Sequence, residues 1–307
     1  MKVLVTGGAG FIGQHIVQRY LHSNDEVILF DHDPLNKNLP KEILENVEII
    51  KGDILDSSSV ANAIKGCDIA YHLAALVGVN AYATNPVLTM ETEEKGLQNI
   101  CHHALNEGCE KIIYPSSSAV YGNVHVEDLL DEDLEVAPNS NYGVAKRFNE
   151  LYLQSQYKQN GLQSVALRIF NVYGPGQDNR LVIPRFITKA LNNEKLIIFG
   201  NGHQTRDFPF IHDVVECAVR SALNISGHQI VNVSCGKDYS IRELAEKIIK
   251  LTNSSSTVVT KLTPENRTSF EVERCIGSNT KIKKLTGYQP NTSLDDGLRL
   301  TIESFIS

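Results

Sequence analysis

The sequence predicts an α/β protein: a doubly wound parallel sheet through the first half of the chain, then a smaller C-terminal α+β domain. Three observations predict it. Strand-like apolar runs alternate with helical periodicity from Lys2 to Phe170, and such βαβ units form parallel sheets that bind ligands outside the carboxyl ends of their strands. The first run passes directly into Gly7-x-x-Gly10-x-x-Gly13. After about Gly174 prolines, glycines and shorter elements replace the regular alternation, as expected of a domain that covers the ligand face.

The composition bounds the function. With 307 residues, 42% of them apolar, the chain can bury a large core in one domain or two unequal ones. A net charge of -7 without a basic run argues against nucleic acid or an anionic membrane as partner. Cys67, Cys101, Cys109, Cys217, Cys235 and Cys275 are scattered, with no C-x-x-C pair, and read as thiols of a reducing compartment, not metal ligands. His102 and His103 are adjacent, so on a helix they diverge and make a poor metal pair. The first residues already read as a core strand, so no signal peptide is expected, and no apolar run approaches a membrane span. A soluble, cytoplasmic protein is expected.

Taken in order, the first strand is Lys2–Thr6. Gly7 permits the tight turn, Gly10 lets a ligand approach the backbone, and Gly13 lets the next helix lie close to the sheet. The N–H groups around Gly10, Phe11, Ile12 and Gly13 then face open space at a helix N-terminus, where a pyrophosphate can sit. Ile16, Val17, Tyr20 and Leu21 continue that helix. The second strand, Glu26–Asp31, ends in a carboxylate 18 positions after Gly13, the spacing of an acid that accepts from ribose hydroxyls and repels a 2′-phosphate. No lysine or arginine follows until Lys37, which favours NAD over NADP.

The third strand is Glu48–Lys51, followed by Asp53 and Ile54, placed to meet adenine. The fourth, Ile69–Leu73, ends in the small-residue stretch Leu73-Ala74-Ala75, where the cofactor crosses the sheet. The fifth, Lys111–Ser116, runs into the hydroxyls of Ser116, Ser117 and Ser118. The acidic stretch Glu127–Glu135 reads as a solvated loop. The sixth strand is Ser164–Phe170. Further on, Ser240-Ile241-Arg242-Glu243 is a capping box for a helix with apolar face Ile241, Leu244, Ala245, Ile248 and Ile249. Thr252–Thr257 follows as a polar turn.

The stretch Asn139-Ser140-Asn141-Tyr142-Gly143-Val144-Ala145-Lys146 follows Pro138 and opens a helix, placing Tyr142 and Lys146 four apart on one face. A free phenol titrates near pH ~10, and bringing one to ~7 takes about 4 kcal/mol. One positive charge at ~4 Å in a dielectric of ~20 supplies about that much, and an oxidised nicotinamide would add to it. Tyr142 can then serve as general base near neutral pH. A serine at the end of the fifth strand can share a hydrogen bond with the substrate hydroxyl and the tyrosine oxygen.

These motifs, with Arg168-Ile169-Phe170-Asn171-Val172-Tyr173-Gly174-Pro175 and Gly200-Asn201-Gly202-His203-Gln204-Thr205-Arg206-Asp207-Phe208, span nearly the whole chain. Together they resemble an extended short-chain dehydrogenase/reductase of the nucleotide-sugar epimerase/dehydratase family. The resemblance implies a Rossmann domain over 1–174 with return segments around 206–235, and a mainly nucleotide-sugar-binding domain over 175–307. It implies that Ser117, three residues before Val120-Tyr121-Gly122, is the catalytic hydroxyl, with Tyr142 and Lys146. Asn171 would contact the sugar or diphosphate, Phe199 the base, and Arg206 the diphosphate through its fork of donors. Arg267 or Arg274 would be a second phosphate arginine. Cys275 resembles the gate at the pocket's end, small enough to leave room for an N-acetyl group.

Relatives that dehydrate the sugar carry acids directly after the catalytic hydroxyl, and the decarboxylases carry a glutamate before Val-Tyr-Gly. This chain has Ser118 and Ala119 there, which points to C4 epimerisation of a UDP-sugar with tightly held NAD. A 4-keto-sugar reductase and a non-catalytic dinucleotide sensor are the alternatives. The chain departs from the pattern at Glu93-Glu94-Lys95-Gly96, where relatives usually carry Asn-x-x-Gly, and lacks the usual acid before Asn279. A homodimer through Gly96–Leu105 and Tyr142–Tyr157 is expected from the resemblance.

Overall fold

The computed structural model describes residues 1–34, 39–76, 85–124, 128–262 and 272–306. Strands β1 (Lys2–Thr6), β2 (Glu26–Asp31), β3 (Glu48–Lys51), β4 (Ile69–His72), β5 (Lys111–Ser117) and β6 (Gln163–Ile169) alternate with helices. Those helices are α1 (Phe11–Leu21), α2 (Lys41–Asn46), α3 (Ser57–Ile64), α4 (Pro86–Glu107) and α5 (Asn141–Asn160). The expected strands are all present, with ends displaced by at most one residue. Then come α6 (Val182–Leu191), β7 (Leu196–Phe199), β8 (Thr205–Arg206), α7 (Ile211–Asn224) and β9 (His228–Val233). The chain closes with β10 (Tyr239–Ser240), α8 (Ile241–Leu251), β11 (Val258–Lys261), β12 (Arg274–Cys275), α9 (Thr280–Thr286) and α10 (Leu294–Ile306).

Seven strands form one sheet in the order β3-β2-β1-β4-β5-β6-β9, every neighbouring pair parallel. From β1 the chain works outward to β2 and β3, then crosses back to β4 and works the other way. The reversal lies between β1 and β4, and the crevice beyond the carboxyl ends there is where open α/β sheets take their ligands.

Period-two alternation buries both sheet faces, as parallel sheets require. Val3, Val5, Leu29, Tyr71, Ile113 and Val165 point to one side, with α1 and α7 residues such as Ile16, Val17, Val214 and Ala218. Leu4, Ile28, Phe30, Ala70, Ile112 and Tyr114 point to the other, with Val60, Leu97, Ile100 and Leu153 from α3, α4 and α5. The same alternation continues across β9, which brings 228–233 back to the edge of the large sheet.

The remaining strands are short. β7 pairs with β11, and β8 lies between β10 and β12. Helix α8 starts at the expected capping box, Ser240 accepting from Glu243 N and Glu243 from Ser240 N, and it buries Leu244, Ala245 and Ile248. The acidic stretch is a loop from Asp128 on, as expected, with Asp128, Asp131, Asp133 and Glu135 exposed, but it is also anchored. Leu130 is buried, its N–H donates to Ile276 O and its carbonyl accepts from Ser278 N. Glu132 accepts from Asn232 N at 2.6 Å. The segment is a clasp between β9 and the C-terminal part of the chain: the Leu130 backbone, the apolar side chains of Leu130 and Leu134, and the Glu132 carboxylate make the contacts.

Candidate active site

The glycine turn stands at the carboxyl end of β1. Gly7 has φ +65°, and a Cβ there would lie 2.7 Å from Leu73 C and Ala74 N, so only glycine lets β1 and the end of β4 approach. A Cβ on Gly13 would lie 2.4 Å from Gly7 O, so the helix rests on the turn as expected. Gly10 is the N-cap of α1 and no side chain caps it, which leaves the first-turn N–H groups of Phe11, Ile12 and Gly13 for an anion. The Asp31 carboxylate accepts from Ala9 N at 3.1 Å, so the acid ending β2 is fastened to the same turn. Asp53 accepts from Leu55 N, and Ile54 O from the Asn99 amide, fixing the loop after β3. Leu73, Ala74 and Ala75 close the crevice on the β4 side, Ala74 N donating to Thr6 Oγ1. An anion-binding helix end, a ribose acid and a backbone-lined floor fit a dinucleotide.

The next wall is β5 and the start of α5. Ser117 ends β5, with its Oγ accepting from Ala119 N. Ser116 is buried and donates to Glu150 at 2.7 Å, and Ser118 lies against the Cys275 thiol. Ser140 caps α5 by accepting from Gly143 N. A Cβ on Gly143 would lie 2.5 Å from Ala119 O, so glycine seats the first turn of α5, and with it Tyr142, directly on the Ser117–Tyr121 turn. One turn later the Lys146 ammonium lies 5.6 Å from the Tyr142 ring centre. Sequence reasoning placed this pair, and the fold brings it to the carboxyl edge of the sheet beside Ser117.

The lysine's partners include one that the spacing alone did not give. Its ammonium is 2.9 Å from Oε1 and 3.1 Å from Oε2 of Glu93 on α4, and both residues are buried. Burial alone would lower the Lys146 pKa, but the Glu93 charge, Tyr142 and the hydrogen bond raise it above the usual lysine value. Burial would raise Glu93, yet Lys146, His72 and Tyr114 hold it below the usual carboxyl value. A carboxylate therefore shares the Lys146 charge with Tyr142.

A second buried group stiffens the floor. Arg168 on β6 grips Glu150 with two bonds, 2.9 and 3.0 Å, and its guanidinium lies over the Tyr121 ring. Glu150 therefore holds Ser116 on β5 to Arg168 on β6, which fixes the strand end that carries Ser117.

Across the crevice, a cavity of about 150 Å³ is lined by Phe199, Gln204, Arg206 and Arg185, among others. It joins two expected ligand residues, Phe199 and Arg206, with one the sequence reading missed. The available signal was a single arginine directly after Pro184 in an otherwise apolar first turn of α6. Arg206 and Cys275 are register partners on β8 and β12. Arg274 instead donates to Asp128 O at 2.7 Å and lies 3.7 Å from Asp238, which engages it with the acidic clasp. Arg267 lies outside the described residues. Asn171, at the end of β6, donates to Asp207 O.

The Epimerase family, described as the NAD dependent epimerase/dehydratase family, matches residues 3–234. The chain belongs to it. A UDP-N-acetyl-alpha-D-glucosaminuronate decarboxylase of Bacillus cytotoxicus is 33% identical over 99% of this chain and 97% of its own length. Among solved structures, UDP-glucose 4-epimerase of Thermotoga maritima superposes with a TM-score of 0.93 at 28% identity, covering 100% of this chain and 99% of that one. UDP-N-acetylglucosamine 4-epimerase of Methanobrevibacter ruminantium M1 gives 0.92 at 32% identity, covering 99% and 98%. The chain is thus an NAD-dependent enzyme of this nucleotide-sugar family. No described helix is long and apolar enough to cross a membrane, and the described residues contain no cluster suited to a metal ion.

Proposed function

We propose that this member of the family is a 4-epimerase, which inverts C4 of a UDP-hexose, glucose/galactose or the N-acetylated pair, through a transient 4-keto sugar. The observation that carries the reading is the Tyr142–Lys146 pair on a helix seated against the turn that follows Ser117, a turn opened by Ser118 and Ala119, neither of them an acid. NAD held at the glycine turn supplies a reversible hydride acceptor. Tyr142 takes the C4 hydroxyl proton and later returns it, Ser117 orients that hydroxyl, and Lys146 holds the cofactor ribose and favours the phenolate. Without a carboxylic acid to protonate a leaving hydroxyl, the keto sugar is not dehydrated. It turns in the pocket and is reduced on its other face. Arg206 and Arg185 would bind the diphosphate, Phe199 the base, Asn171 the sugar, and Cys275 would leave room for an N-acetyl group.

The Bacillus cytotoxicus relative supports a second reading, in which the same oxidation at C4 of a UDP-uronate makes a β-keto acid that loses carbon dioxide. Purified protein incubated with UDP-glucose, UDP-N-acetylglucosamine and UDP-glucuronate, without added cofactor, separates the two. A C4 epimer with no net NADH is expected. A pentose nucleotide from the uronate alone would replace the epimerase reading. We also infer a homodimer, because Val144, Phe148, Leu151 and Tyr157 expose apolar surface along α5. Sedimentation as a single 34.0 kDa chain at micromolar concentration would overturn that.

A further inference from the structure

Four elements converge beneath the Tyr142–Lys146 pair. From β4 comes His72, from α4 Glu93, from β5 Tyr114, and from α5 Tyr142, Lys146 and Asn149. Glu93 Oε2 accepts from Tyr114 Oη at 3.0 Å and from the Asn149 amide at 3.3 Å, besides Lys146. The Asn149 amide also donates to the Glu93 carbonyl and to Tyr114 Oη, so the carboxylate is held from three sides. Tyr114 stacks on His72, with ring centres 6.2 Å apart. Burial pushes the His72 imidazole down to about 4, so it is neutral at physiological pH, and burial likewise keeps Tyr114 protonated.

The charged members facing one another are then one carboxylate and one ammonium, and the centre is electrically balanced by its own residues. An ammonium has three N–H donors; one is engaged by Glu93 Oε2, while Oε1 lies at ion-pair distance, 2.9 Å, without a hydrogen bond of its own. A buried carboxylate is retained only where it is paired, and here its pair is the residue that the Tyr-x-x-x-Lys arrangement relies on.

We propose that Glu93 is a positioning residue: it fixes the Lys146 ammonium and offsets its charge, so that ionisation of Tyr142 answers to the charge of the bound nicotinamide. The inference rests on the catalytic roles proposed for Tyr142 and Lys146. With oxidised cofactor the added positive charge favours the phenolate, and Tyr142 can accept the C4 hydroxyl proton. With reduced cofactor that charge is gone, only the balanced Glu93–Lys146 pair remains, and Tyr142 keeps the proton it must return to the C4 oxygen. The glutamate thus couples the protonation of the base to the redox state of its neighbour. An unpaired lysine would favour the phenolate in both states.

The test compares wild type with Glu93→Gln and with the shorter amide variant Glu93→Asn, on whichever nucleotide sugar the wild type converts. Removing the negative charge makes the Tyr142–Lys146 pair lose its first proton more readily. The acid limb of kcat/KM should therefore move to lower pH by about one unit. An unmoved limb in a variant with wild-type melting temperature would overturn the proposal. A second arm requires no turnover and no variant that must remain folded at position 93: NMR of 15Nζ-lysine in the wild-type NAD-bound protein, with the Lys146 signal assigned by its loss in Lys146→Met. Lys146 should remain protonated beyond the ordinary lysine range. Titration below that range would show that Glu93 does not hold its charge, and would overturn the inference whether or not the epimerase reading stands.

Discussion

Tyr142 is a half-turn of helix away from being an ordinary surface aromatic, and what makes it chemistry is its neighbours. Gly143 seats it on the Ser117 turn, and Lys146 stands one turn behind it. Tyr142→Phe removes only the hydroxyl, so NAD should still bind while turnover falls roughly 10²–10⁴-fold, the usual worth of a positioned acid–base group. Retained turnover would assign the proton transfer elsewhere. His72 gives a residue-scale test of the buried cluster beneath. Its folded value, about 4, lies below that of a free imidazole at ~6.5, so the unfolded chain binds the proton first. Stability is lost as pH falls from about 6.5 towards 4, by about 3 kcal/mol from this group. Chemical denaturation of wild type and His72→Asn at pH 7 and pH 4.5 should show the wild type losing more over that interval, and parallel losses would mean that His72 is protonated in the fold. Gly7, Tyr142 and Lys146 were legible because each carries its signal within a few residues, Asp31 from its fixed spacing of 18 positions after Gly13, and Ser117 from the family pattern before Val120-Tyr121-Gly122. The Glu93–Lys146 pair spans 53 positions, and the sequence shows only that Glu93 is unusual at its place, not which cation answers it. Arg185 was hidden for the same reason, since nothing local says that α6 faces β8 across a cavity.

At the scale of the element, the turn after β1 is set by backbone contact. Gly13→Ala would place a Cβ 2.4 Å from Gly7 O, which must lift α1 off the turn and spoil the anion cradle. Gly161→Ala is the control, because Gly161 has φ +74° but nothing within 4 Å of a Cβ, and carries only a backbone strain of about 1 kcal/mol. Calorimetry with NAD should find binding lost or weakened at least tenfold in the first variant and unchanged in the second. Equal affinity in both would show that close packing at Gly13 does not shape the site. Period-two burial made the strands readable to within a residue, and the Ser240–Glu243 box gave the start of α8 outright, since both are local rules. The stretch from Asp128 to Glu135 is the exposed acidic loop expected, but its anchoring to Ile276, Ser278 and Asn232 was not legible, because charge counts describe side chains and these contacts are made largely through backbone groups and the half-buried Glu132.

For the whole molecule, strand alternation was enough to anticipate a parallel sheet; the return of β9 to its edge was expected from the family resemblance alone, and the pairing of β8 with β10 and β12 was not anticipated. Those pairings join segments more than thirty residues apart, and no spacing rule chooses among them. They matter because they bring Arg206 and Cys275 into register, the residues proposed to meet the diphosphate and the sugar. The proposed epimerisation turns on one step, that hydrogen leaves C4 and returns to C4 of the same sugar within one closed site. UDP-glucose or UDP-N-acetylglucosamine deuterated at C4, incubated with the enzyme as purified, tests it directly by mass spectrometry of the separated epimers. The C4 epimer should form with its deuterium retained and no reduced cofactor should accumulate. Deuterium lost to solvent or gathered in NADH, or a product that is not the C4 epimer, would contradict the proposal.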